Sequence, residues 1–254
     1  MEFPESIKQQ TCRDCLSGKT LGFEIKMAFQ PIVDWHKQAI VAYEALVRGP
    51  EGQGAGWVFE RINDDNRYYF DQACRVKAIE TATRLGCQAY LNINFLPNAV
   101  YSPETCIKAT IEAADLYGFD LTKLVFEVTE SEQIIDKNHL QRIFSSYSKR
   151  GFKTAIDDYG SGYARMDWLV DLRPDILKLD MQLIRDIEQH PDQQKMVKQV
   201  VQQCLLQGTQ VLAEGIETRG ELDCILALGI HLVQGYYFAK PELEHLASVP
   251  FSSL

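Results

Sequence analysis

The chain has 254 residues, 46% of them hydrophobic and 24% charged, which is the balance of an ordinary soluble globular protein. No apolar run is long enough to span a bilayer, and the first fifteen residues lack the basic start and apolar core of a signal peptide, so a cytoplasmic protein with no membrane attachment is expected. A net charge of −9 argues against a general surface for polymeric nucleic acid, which requires a basic field.

Residues 1–22 read as an N-terminal extension and 23–254 as one barrel domain. The extension carries Cys12-Arg13-Asp14-Cys15, but a closed zinc site needs four ligands, and only His36 is at hand as a further one. An ordinary terminal segment is therefore the preferred reading. The other five cysteines, Cys74, Cys87, Cys106, Cys204 and Cys224, sit in apolar or helical contexts and imply no disulfide framework.

Strands are expected at 23–34 and 39–49, joined by too few residues for a crossover helix, so they form an antiparallel hairpin. A Gly-containing, charged loop at 51–66 leads into a helix. Further strands fall at 89–95, 123–130, 153–160, 176–180, 209–216 and 231–238. Between them lie helical segments at 103–117, 138–149, 194–207 and 219–228, with apolar residues near period 3.6. The alternation predicts right-handed βαβ crossovers and an α/β fold, a modified TIM (β/α)8 barrel with an antiparallel first strand.

Polar residues unsuited to a barrel core recur at the C-terminal ends of these strands: Glu44, Asn94, Glu127 and Glu130, Asp157 and Asp158, Lys178, Glu214 and Glu217, and Gln234. That end of a TIM barrel is the catalytic rim, so residues distant in sequence should converge there. Taken singly, Glu44, Arg48, Lys178 or Glu217 would read as a solvated charge; the joint pattern is what points to a site. Several carboxylates in one cleft repel unless cations neutralise them, and an all-oxygen donor set suits Mg²⁺ or Mn²⁺. Strand alternation would point Asp157 and Asp158 apart, so the pair works as a bridge only where the strand ends and the backbone turns.

The segments FQPIVD, YEALVRG, NFLP, FEVTES, AIDDYGSGYA, DILKLD, LAEGIET and VQGYYFAKP, in this order, closely resemble the EAL-domain cyclic di-GMP phosphodiesterases over roughly residues 23–241. The resemblance implies a two-ion hydrolysis of cyclic di-GMP to linear pGpG. It assigns Glu44, Asn94, Glu127 and Asp157 to one ion, and Asp157, Asp158 and Glu214 to a second. Lys178 matches the lysine near the attacking water, and Glu214 and Gln234 fall in the same catalytic group. Gln30, Arg48 and Glu217 match substrate-binding positions. Glu130 matches an anchor for the loop 159–163, near which family members often form a homodimer. The loop departs from the common pattern at Tyr159, Ser161, Ala164 and Arg165 but keeps its glycines. A cyclic di-GMP receptor without catalysis is the main alternative. An enolising barrel enzyme with Lys178 as base would leave Arg48, Gln234 and the second Asp without a task.

Overall fold

The structure, a computed structural model, describes residues 3–4, 6–7, 20–129, 136–160 and 166–254. Its strands are β1 (Lys26–Asp34), β2 (Ala39–Arg48), β3 (Tyr90–Asn94), β4 (Leu124–Thr129), β5 (Lys153–Tyr159), β6 (Ile176–Leu179), β7 (Gln210–Ala213), β8 (Leu232–Val233) and β9 (Glu242–Leu243). The helices are α1 (Ala55–Phe59), α2 (Arg67–Arg84), α3 (Pro103–Cys106), α4 (Lys108–Tyr117), α5 (Lys137–Ser148), α6 (Met166–Leu172), α7 (Met181–Ile184), α8 (Pro191–Gln207) and α9 (Arg219–Ala227).

Strands β2 to β8 run parallel in sequence order, and β1 closes the ring between β8 and β2, antiparallel to both. The expected barrel and its reversed first strand are both present. Strand β9 pairs with β1 at Ala28 and Leu243 outside the ring.

Because side chains alternate along a strand, each strand serves two compartments. Phe29, Tyr43, Leu91, Ile93, Phe126, Val128, Ile156 and Leu177 face outward and join the helices in one large apolar core. Inside the ring, Ile32, Ala42, Val125, Ala155, Ile176 and Leu212 form a separate apolar layer toward the N-terminal ends of the parallel strands. One period of two farther toward the other end lie Gln30, Glu44, Glu127, Asp157, Lys178 and Glu214. A hydrophobic plug therefore carries a polar floor.

Several elements differ from the sequence expectation. The helix expected at 103–117 is two pieces that meet at Ile107, whose N–H makes a long 3.4 Å hydrogen bond to Pro103 O. Helix α8 begins at Pro191, three residues before expected, since proline is pre-set for a first helical position. Strand β8 is two residues long: at Gly235 the chain bends so close to Ile216 that a Cβ there would lie 2.1 Å from Ile216 O. A short helix, α6, fills the β5 to β6 crossover.

Outside the barrel, a buried ion pair braces the site from behind. Arg75 on α2 meets Asp71 at 2.7 Å, donates to Tyr147 Oη on α5 at 2.9 Å and packs over the rings of Phe95 and Phe126. Asp71 also accepts the Leu96 N–H at 2.9 Å, fixing the turn that leaves β3 just beyond Asn94. Phe3 and Ile7 are buried in the same core, and the Phe3 ring lies 4.7 Å from that of Tyr69 on α2. Cys74, Cys87, Cys106 and Cys204 are buried as expected, with Cys224 half-buried; Cys12 and Cys15 lie outside the described residues. Among the described residues no helix is long and apolar enough to cross a membrane.

The close approach at Gly235 gives a direct test. Gly235→Ala must displace backbone rather than a flexible side chain, at a cost of about 3 kcal/mol or more. Gly208→Ala meets only open space and its left-handed φ of 76°, costing about 1 kcal/mol. Urea denaturation should rank the two in that order.

Candidate metal centre and active-site cleft

The residues at the upper end of the barrel converge on one cation, the ammonium of Lys178. Its Nζ lies 2.8 Å from Glu214 Oε1, 3.0 Å from Asp157 Oδ2, 3.1 Å from Glu127 Oε2 and 3.4 Å from Glu44 Oε2. Lys178 and Glu127 are fully buried, and Glu44 and Asp157 nearly so. Each arrives from a different strand, and parallel register sets their level: Asn94 pairs with Glu127, and Lys178 with Leu212, two residues below Glu214.

Hydrogen bonds from amide and backbone N–H groups orient the carboxylates. Asn94 Nδ2 donates to Glu44 Oε1 at 3.0 Å, and Gln234 Nε2 donates to Glu44 Oε2 at 2.8 Å. Asp157 Oδ1 accepts the Asp158 N–H at 2.8 Å, and Asn92 Nδ2 reaches Glu127 Oε1 at 2.5 Å. Gln234 also donates to Gln30 Oε1 at 3.2 Å, while Gln30 donates to the Ala239 carbonyl.

Asp157 and Asp158 do lie together, through a bulge just before the strand ends. Strand β5 continues to Tyr159, which still pairs with Leu179, and a bulge between Ile156 and Tyr159 absorbs the extra residue. Asp158 takes a left-handed φ of 56°, which turns its carboxylate to the same side as that of Asp157. Two three-carboxylate groups result, Glu44–Glu127–Asp157 and Asp157–Asp158–Glu214, each with oxygens within 4.8 Å of one another. They share Asp157.

One ammonium does not balance this charge. Burial drives Glu127 up to about 8, with Lys178 pulling it back and Glu44 and Asp157 pushing it further. Burial, then Asp157, raises Asp158 to about 6, and Glu214 lies well above the usual carboxylate range for the same reasons. Burial works against the charge of Lys178, yet the surrounding carboxylates outweigh it and hold the ammonium well above an ordinary lysine. Dications beside Lys178 would lower it; the carboxylates alone act in the opposite direction. A hard-oxygen donor set with surplus negative charge, already gathered around a stand-in cation, fits Mg²⁺ or Mn²⁺.

Two clefts open on the cluster. A polar one of about 250 Å³ is lined by Gln30, Glu44, Asp158, Glu214, Glu217 and Gln234, and a more apolar one of about 310 Å³ runs from Asn94 and Asp157 past Phe59, Phe70 and Phe95. Glu217 sits at the rim, where Arg185 holds it at 2.9 Å. Arg48, at the end of β2, folds back to donate to the Val47 carbonyl at 2.8 Å. Glu130 and residues 161–163 of the loop lie outside the described residues.

Two supporting residues went unrecognised in the sequence. Asn92 shares the inward face of β3 with Asn94 two positions later, so strand parity could have found it. Glu221 accepts the Glu217 and Thr218 N–H groups and bonds Arg185, fixing the exit of the β7 loop. Its signal was the Thr218-x-x-Glu221 capping box, which is formed.

The EAL domain family matches residues 13–241. A crystal structure of a standalone EAL protein from Vibrio cholerae O395, in its c-di-GMP bound form, is 48% identical with a TM-score of 0.88, covering 92% of this chain and 99% of that one. A manganese/cy-diGMP complex of Klebsiella pneumoniae BlrP1 is 32% identical with a TM-score of 0.82, covering 87% of this chain and 56% of BlrP1. The probable cyclic di-GMP phosphodiesterase PdeG of Escherichia coli is 31% identical over 92% of this chain and 48% of its own length. The chain thus spans about half the length of PdeG.

The electrostatics predict an unusual pH profile. With Glu127 near 8 and Asp158 near 6, both above ordinary carboxylates, the folded protein binds more protons than the unfolded chain between about pH 4.5 and about pH 8. Stability of chelator-treated protein should therefore fall as pH rises through that window, lowering Tm by several degrees. Lys178, raised from an already high value, adds no slope there. Mg²⁺ or Mn²⁺ should flatten the profile, and a Tm independent of pH without cations would contradict this charge balance.

Proposed function

The chain belongs to the EAL domain family, and on that premise we propose that it hydrolyses cyclic di-GMP to linear pGpG. The observation that carries the reading is the pair of carboxylate groups sharing Asp157, which matches a donor set for two divalent cations side by side. The manganese and calcium complexes of BlrP1 with cy-diGMP support the same cation class. When bound, Mg²⁺ or Mn²⁺ would polarise the phosphodiester and make a water more acidic.

In this reading Glu44, Asn94, Glu127 and Asp157 hold one ion, and Asp157, Asp158 and Glu214 the other. Lys178 sits in contact with both groups, placed to hold a proton or orient water at its Nζ. Gln234 steadies Glu44, and its own Oε1 is buried with no partner among the described residues, leaving an acceptor for water in the cleft. Gln30 and Glu217 line the polar cleft. Arg48 would unfold from the Val47 carbonyl to meet a phosphate, for which a guanidinium is suited. Glu130 as loop anchor, a homodimer and a cytoplasmic location complete the proposal. The net charge of −9 restricts the anionic substrate to a small molecule that local cations can receive.

Incubation with cyclic di-GMP should yield pGpG with Mg²⁺ or Mn²⁺, poorly with Ca²⁺, and none with chelator, as read by chromatography. Glu44→Ala and Asp157→Ala should stay folded and lose turnover by orders of magnitude. Lys178→Ala should act on kcat, Arg48→Ala mainly on KM. Turnover undiminished by chelator would overturn the metal assignment, while tight binding without pGpG under every cation would favour the receptor.

A further inference from the structure

Strand β3 carries two amides on its inward face, and they serve opposite neighbours. Asn94 donates Nδ2 to Glu44 on β2, and Asn92 donates Nδ2 to Glu127 on β4. The second contact is the more consequential. Glu127 is fully buried and Asn92 is 1% exposed, so no water competes for the bond.

The amide orientation suits a cation-holding carboxylate. With Glu127 ionised, as a bound dication requires, a flipped Asn92 would set its carbonyl oxygen against a carboxylate oxygen, two acceptors with no proton between them. As oriented, Nδ2 holds Glu127 Oε1, and Oδ1 is buried with no partner among the described residues, beside the pocket of about 280 Å³ at the other end of the barrel. Glu127 Oε2 is the oxygen that faces the Lys178 ammonium, at 3.1 Å. The two oxygens of this carboxylate thus have different tasks.

Resting on the metal reading above, we propose that Asn92 is a positioning residue that limits Glu127 to one oxygen toward a cation and so favours small six-coordinate ions over Ca²⁺. Ca²⁺ accepts six to eight oxygens and often takes a carboxylate through both, whereas Mg²⁺ holds to near-ideal octahedral geometry with fewer protein ligands. A carboxylate whose second oxygen is held by a buried amide cannot chelate without losing that hydrogen bond. Loss of the amide leaves Glu127 free to rotate and offer both. Partners of this kind commonly change metal affinity by about 10- to 100-fold.

The test uses the full chain without substrate. Calorimetric titration with MnCl₂ and separately with CaCl₂ is run on wild type, on Asn92→Ala and on Asn92→Leu, which keeps the shape but has no donor. Wild type should prefer Mn²⁺, and in both variants the ratio of the Ca²⁺ to the Mn²⁺ Kd should fall by about tenfold. A lowered Tm with an unchanged ratio would mean that Asn92 only packs, and would overturn the inference while leaving the metal centre intact. Failure of wild type to bind either ion would overturn the metal reading itself, and this inference with it.

Discussion

A charge deficit inside the barrel sets the terms for everything around it. Four carboxylates surround one ammonium in a largely buried space onto which two clefts open, with Asp158 at its edge. Taking so many like charges out of water is tolerable only if they are paired, hydrogen-bonded or partly protonated, and the raised Glu127, Asp158 and Glu214 show that pairing alone falls short. Lys178 pairs with all four and offsets part of their repulsion. It leaves the surplus negative charge that a divalent ion would satisfy.

The supporting amides follow from that deficit. A carboxylate that must wait for a cation needs its orientation fixed by groups that add no charge, and amide nitrogens do this. Asn92, Asn94 and Gln234 each hold one carboxylate, while the bulge at Asp158 lets a backbone N–H hold Asp157. The scaffold is stiff where this matters: the apolar layer below seals the ring, and the Asp71–Arg75–Tyr147 unit ties α2 and α5 to the turn beyond Asn94.

Much of this was legible in the sequence because strand parity and order survive folding. Strand-end residues such as Glu44, Glu127, Asp157, Lys178 and Glu214 had no reason to be polar in a packed core, and the structure brings them together. What escaped reading depended on backbone departures from regularity. Period two cannot announce the bulge that turns Asp158, and it overextended the eighth strand because the Gly235 approach to Ile216 is a contact between distant segments. Arg48 illustrates another limit, since a motif assigns a role but not the Val47 carbonyl to which the side chain folds. Asn92 gives a weaker signal than the strand-end residues, because it lies two residues inside β3.

The reversed first strand alters how the chain is wired to its surroundings. In a barrel of parallel strands the polypeptide enters at the end remote from the chemistry. Here Lys26, the first residue of β1, pairs with Arg48, the last of β2, so the chain enters level with the mouth of the cleft. Phe3 and Ile7 already pack into the core shared with α2, whose Asp71 steadies the turn after Asn94. Whatever pulls or twists the polypeptide upstream of β1 therefore does so at the rim where the carboxylates lie, and the Phe3–Tyr69 contact gives it a second point of leverage on α2.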